Sequence, residues 1–187
     1  MTRLSSILTA TALLALTAGA AQAQSTAPAR QLAFNGEAAA GCLMQTPQAP
    51  TSDNASVTSS GPGSADIVIG QLVGDDGISV GATVILTLPA ACNQAHILRL
   101  VSVNGGLINV DGTPAGGPFR SVLPYAVAIS WGSGSDTYQS GDPATTISNG
   151  DAATGTVTVT IEIPAGGAPL VAGSYSDQLI LELAAAG

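Results

Sequence analysis

Thr156-Val157-Thr158-Val159-Thr160-Ile161-Glu162-Ile163 reads as a β-strand with two unlike faces. Val157, Val159, Ile161 and Ile163 fall on one side; Thr158, Thr160 and Glu162 fall on the other. Side chains alternate across a strand, so this period of two predicts one face on a core and one toward water. The same pattern recurs outward from this stretch. Residues 79–88 place Val80, Ala82, Val84, Leu86 and Leu88 on one face and stop at Pro89. Residues 97–103 form a second strong strand, and Asn104-Gly105-Gly106 turns it so that 107–110 return. Residues 122–131 alternate through Tyr125, Val127, Ile129 and Trp131. Residues 176–183 form the last strand, with Leu179, Leu181 and Leu183 on one face, and the chain ends soon after. A short strand at 65–69 precedes Gly74-Asp75-Asp76-Gly77, which is turn chemistry.

Residues 46–64, 111–118, 132–154 and 164–173 read as loops, with one short edge strand near Tyr138. No segment beyond the leader sustains a 3.6-residue period. About six to eight short strands separated by Gly- and Pro-rich turns predict an all-β chain, arranged as a β-sandwich.

The leader is an export signal. Arg3, an apolar run from Ile7 to Ala18, and Ala21-Gln22-Ala23 match a signal peptide with its small-x-small cleavage site, giving a mature chain from Gln24. About 164 residues then remain, enough for one domain with a real core. They hold Arg30, Arg99 and Arg120, no lysine and twelve carboxylates, a formal charge near −9. Such a chain repels phosphate backbones, which argues against nucleic acid as a partner, and against an anionic membrane surface. No second apolar run is long enough to span a bilayer.

Cys42 and Cys92 are the only cysteines. Export implies an oxidising compartment, so a disulfide between them is expected. The rival reading, a metal or catalytic thiol pair, lacks CxxC spacing and has a single histidine to draw on.

Residues 24–41 stand before the first cysteine. Within them Leu32, Phe34, Gly36 and Ala38 alternate with the more polar Gln31, Asn35 and Glu37. This is a strand pattern outside the disulfide-closed loop, of the kind that can be lent to a neighbour.

Little in the chain points to chemistry. Asp75-Asp76 lacks the alternating ladder of a calcium loop and reads as a solvated turn. His96 has no ligand cluster and is placed in a loop near the disulfide. There is no Gly-x-Ser-x-Gly elbow, phosphate loop or HExxH motif, and Ser133 and Ser135 sit in a Gly/Ser turn. Trp131 and Tyr125 are assigned to the sandwich core rather than to a sugar subsite. No enzyme activity, catalytic residue, metal or cofactor is expected.

The order of features resembles a known family. An alternating N-terminal segment, Gly41-Cys42, a body strand ending near Cys92, and the closing Gly173-Ser174-Tyr175-Ser176-Asp177 followed by Gln178-Leu179-Ile180-Leu181-Glu182-Leu183 resemble the spore coat protein U domain. That domain is shared with pilins of the archaic chaperone–usher pathway, and Phe34-Asn35-Gly36-Glu37 is similar to donor segments of fimbrial subunits. The resemblance implies an incomplete immunoglobulin-like β-sandwich of the pilin type, with residues 24–41 as an N-terminal donor strand and 42–187 as the body. It implies donor positions Leu32, Phe34, Gly36 and Ala38, and an acceptor groove including Leu179, Leu181 and Leu183. The implied partners are identical or related pilin subunits, a periplasmic chaperone and an outer-membrane usher. The implied function is a surface pilus that supports adhesion and biofilm formation, after export through the periplasm to the cell surface. Gly36 and Ala38 offer little area, so Leu32 and Phe34 would be the main anchors.

Two other classes compete. A carbohydrate-binding tip adhesin usually carries a further binding domain and needs no donor segment, and a secreted surface coat would suit the spore coat resemblance. Neighbouring chaperone and usher genes would separate pilus from coat.

Overall fold

The computed structural model describes residues 35–61 and 63–186. The expected leader, and the donor positions Leu32 and Phe34, lie outside the described residues. Every regular element among the described residues is a strand: β1 Cys42–Met44, β2 Gln48–Asp53, β3 Ala55–Gly61, β4 Ser64–Ile69, β5 Ser79–Cys92, β6 His96–Ser102, β7 Leu107–Asn109, β8 Val122–Leu123, β9 Ala126–Trp131, β10 Gly134–Gln139, β11 Thr145–Asn149, β12 Ala153–Gly166, β13 Tyr175–Ser176 and β14 Leu179–Ala185.

The main sheet runs β1-β5-β12-β9-β10, with β2 also laid along β5. A second sheet runs β11-β6-β14. A small sheet, β13-β7-β8, and a hairpin, β3-β4, complete the set. All strand pairs are antiparallel. The spine is β5 against β12, where Leu88, Leu86, Val84 and Ala82 stand opposite Val157, Val159, Ile161 and Ile163. All eight are buried and join Leu98 and Leu100 of β6 and Ile147 of β11 in one apolar core. The two larger sheets therefore close on a common core, the layer arrangement of a β-sandwich. Burying each branched side chain stabilises the fold by about 1.5–3 kcal/mol relative to exposure. This arrangement hides the one-sided apolar rows of the patterned strands in a single core.

Several boundaries differ from the sequence reading. Pro89 does not stop β5, which continues to Cys92. A residue's N–H and C=O point to the same side of a strand, and the Pro89 carbonyl accepts from Gln45 N at 2.8 Å. The donor that proline lacks would thus face the break between β1 and β2, and the ladder to β12 loses nothing. Pro164 likewise falls inside β12, at a point where Pro164 and Gly81 are left out of the register. Gly81 there has φ +82, and a Cβ on it would come within 3.1–3.2 Å of Ala165 and the Ile163 carbonyl. Residues 122–131 split into β8 and β9 around Pro124. Residues 107–109 do not return along β6; they pair with β8 and β13. Gly106, φ +138, turns the chain so tightly past Leu123 that a Cβ would lie 2.9 Å from its carbonyl.

The 46–64 and 132–154 segments were expected as loops but contain β2 and β3, and β10 and β11. β10 is the edge strand expected near Tyr138, and Tyr138 is buried. All six residues of β2 are exposed, so its pairing is a backbone matter that side-chain alternation cannot reveal. β3 did carry a signal: Ala55 and Val57 alternate inward and stand opposite Ile69 and Ile67 of β4.

His96 is not in a loop. It opens β6, is fully buried, and accepts a hydrogen bond at Nε2 from Trp131 Nε1. Its Nδ1 lies 2.9 Å from the Gln94 carbonyl. An indole N–H only donates and a carbonyl only accepts, so the ring carries its proton on Nδ1. His96→Leu would leave the Trp131 N–H buried without an acceptor, and a loss of about 1–3 kcal/mol is expected. A urea midpoint lowered at constant m-value would register it, and an unchanged midpoint would contradict it.

Candidate functional site

The feature that stands out is an unfinished sheet edge. β14 pairs along its whole length with β6, from Leu179 opposite Ser102 to Ala185 opposite His96. No strand lies on its other flank among the described residues. Leu179, Leu181 and Leu183 face the core but are only half-buried, while Ile180, Glu182 and Ala184 face outward and are exposed. The inward residues of β12, flanked on both sides, are 0–8% exposed. Aliphatic residues in the same phase thus differ in burial where, among the described residues, one strand has two neighbours and the other has one. Met44 of β1, Val57 of β3 and Ile67 and Ile69 of β4 are also half-buried at the margin of the core. β1 packs near β14, and β1 is itself an edge of the main sheet. Two sheets therefore end beside each other, with backbone donors and acceptors and an apolar row left open along β14.

The entry to β14 is clamped by Asp177. Its Oδ2 accepts from Tyr125 Oη at 2.7 Å and from Ser102 Oγ, and its Oδ1 accepts from the backbone of Asn104 at 2.9 Å. Ser102 N in turn donates to Tyr138 Oη at 2.9 Å. One carboxylate thereby ties the start of the edge strand to β6 and to the segment before β9. Burial, and then the hydrogen bond to Asp177 and that carboxylate's charge, push the Tyr125 phenol far above its ordinary range. The folded state keeps a proton that the unfolded chain releases near pH ~10. This contribution to stability is complete below about pH 10 and falls as pH rises toward the folded value. Denaturation midpoints should decline through that alkaline range, and Tyr125→Phe should flatten the decline; equal slopes for both proteins would refute the linkage.

At the other end of the body, Cys42 and Cys92 form a disulfide between directly opposed residues of β1 and β5. The bond fits an oxidising compartment. Next to it Asn93 holds the preceding backbone: its Nδ2 donates to the Ala39 carbonyl at 2.6 Å, and its Oδ1 accepts from Gly41 N at 2.8 Å. Sequence reading missed Asn93, whose backbone partners lie more than fifty positions away. It also missed the partners of Asp177, which come from residues distant in sequence. Gly36 and Ala38 are exposed and outside any strand. By contact, Asn35–Glu37 group apart from the body beginning at Ala38.

The remaining candidates resolve into structure. Asp76 accepts from Ile78 N at 2.9 Å and closes its turn. No group of three or more His, Cys, Asp or Glu occurs among the described residues. Trp131 and Tyr125 are buried. Arg120 donates to the carbonyls of Ala168 and Gly166, and Arg99 pairs with Glu182 at the surface, so both are occupied. No helix among the described residues is long and apolar enough to cross a membrane. Compared with protein-family models and with curated proteins, the chain finds no match.

Proposed function

We propose that this chain is a structural subunit of a chaperone–usher surface pilus, polymerising by donor-strand exchange and thereby supporting adhesion and biofilm formation. The body is an immunoglobulin-like sandwich of pilin type whose missing strand belongs beside β14. The observation that carries this reading is the flank of β14 left open among the described residues, with its three half-buried leucines. A neighbour's segment 32–38 matches that seven-residue edge in length and phase, with Leu32, Phe34, Gly36 and Ala38 toward the groove. Each backbone hydrogen bond so formed is worth about 0.5–1.5 kcal/mol net. Burying Leu32 and Phe34 adds roughly 1.5–3 kcal/mol each. A periplasmic chaperone would cover the edge until an outer-membrane usher exchanges it for the next subunit.

The reading is tested on a denaturing gel of unboiled cell-surface material. A ladder of heat-dissociated oligomers is expected, and Phe34→Asp should abolish it while leaving export intact. A full ladder from Phe34→Asp would overturn strand exchange through this segment.

A further inference from the structure

The chain contains three Asn-Gly pairs, Asn35-Gly36, Asn104-Gly105 and Asn149-Gly150. In such a pair the backbone nitrogen of the glycine can attack the asparagine Cγ, because no side chain blocks its approach. The new N–Cγ bond closes a five-membered imide, and the side-chain nitrogen leaves as ammonia, taking the proton lost by the glycine amide. Water then opens the imide at either carbonyl, leaving an aspartyl or an isoaspartyl residue. No oxidant or cofactor enters. The reaction needs an accessible Asn and a glycine N–H that is free to move out of the extended geometry.

The structure separates the three pairs. Gly105 N donates to Ser102 Oγ at 2.9 Å, and Asn104 N donates to Asp177, so the second pair is pinned. Asn149 is held in β11 opposite His96. Gly150 is as open as Gly36, but only in the first pair do both residues, Asn35 and Gly36, lie exposed and outside any strand.

We propose that Asn35-Gly36 is a self-modifying site that converts to aspartyl and isoaspartyl forms while the segment is undocked. The consequence rests on the strand-exchange reading. An isoaspartyl linkage routes the main chain through the side chain and adds a carbon between Phe34 and Gly36. In a strand, such an insertion puts Leu32 and Phe34 out of phase with Gly36 and Ala38, so they can no longer fill one groove together. Docked against a neighbour, the same pair is held extended and protected. The site is thus a timer that retires subunits left unassembled.

The test uses the purified mature protein, incubated at mildly alkaline pH, digested and read by peptide mass. Position 35 is expected to gain roughly 1 Da, with the isoaspartyl form resolved by chromatography. Position 104 should react more slowly by on the order of ten-fold or more, since its pair must open locally first. Asn35→Gln, which keeps an outward amide but cyclises poorly, should remove the modification. With the periplasmic chaperone and usher-bearing membranes supplied, aged wild-type protein should then form fewer oligomers than fresh protein, and aged Asn35→Gln should not lose any. Equal rates at positions 35 and 104 would overturn the site. Modification at 35 with undiminished oligomer formation would overturn the timer. Absence of oligomers from fresh protein, with position 35 still modified selectively, would defeat the strand-exchange reading and leave the chemical site standing.

Discussion

Leu181→Asp is expected to abolish assembly while leaving a folded, exported subunit. Leu181 is the central inward leucine of β14 and is half-buried, and among the described residues the strand has a neighbour on one flank only. In the lone subunit its carboxylate would keep some contact with water. Docking a second strand would remove that water and bury an unpaired charge against apolar side chains, at a cost of several kcal/mol. That exceeds what a few backbone hydrogen bonds return. The control is Ile180→Asp, one position along on the outward face, where the residue is 41% exposed. It changes the same strand by the same charge and should leave the oligomer ladder intact. Loss of the ladder in both variants would point to an unfolded edge rather than a spoiled groove. An intact ladder in Leu181→Asp would remove β14 as the acceptor. The disulfide is the internal measure of folding: it should form normally in both variants.

Removing that disulfide carries the second large effect. Cys42 and Cys92 are 50 residues apart, and a closed loop of that length restricts the unfolded chain by roughly 4 kcal/mol in the chain-entropy treatment. Within the folded state the bond pins β1, only three residues long, to the end of β5. β1 otherwise has a short backbone ladder and the Asn93 tie to keep it in place. Replacing both cysteines by serine should therefore lower stability by several kcal/mol and let β1 fray from β5. For a chain of this size each kcal/mol moves the melting temperature by about 2–4 °C. Calorimetry of the double variant should show a drop of roughly 8–16 °C. A shift of under about 2 °C would mean that the sheet alone holds this edge.

The strands with a clear apolar row were legible in the chain itself. β5, β6, β9, β12 and β14 lie where alternation placed them, because each has one face on the core and the period of two is the trace that this leaves. Leu179, Leu181 and Leu183 were legible as one face for the same reason. β2 was not, because its six exposed residues are recruited through main-chain hydrogen bonds, which any sequence without too many prolines can make. Pro89 misled for a related reason: a proline ends a strand only when its missing donor points at a neighbour, and sequence does not say where the neighbours are.

Local patterning was enough for the all-β character, the pairing of the two cysteines, and the inward faces of the patterned strands except at Val80, which the irregularity at Gly81 and Pro164 turns outward to 43% exposure. These follow from local rules: alternation, turn chemistry and the count of thiols. Sheet assembly set the rest: among the described residues β14 has a partner on one flank alone, Asp177 gathers Tyr125, Ser102 and Asn104, and His96 serves Trp131 in the core. Those are relations between residues tens of positions apart. They depend on sheet order and register, which backbone hydrogen bonding permits in many versions and which the packing of the whole core selects.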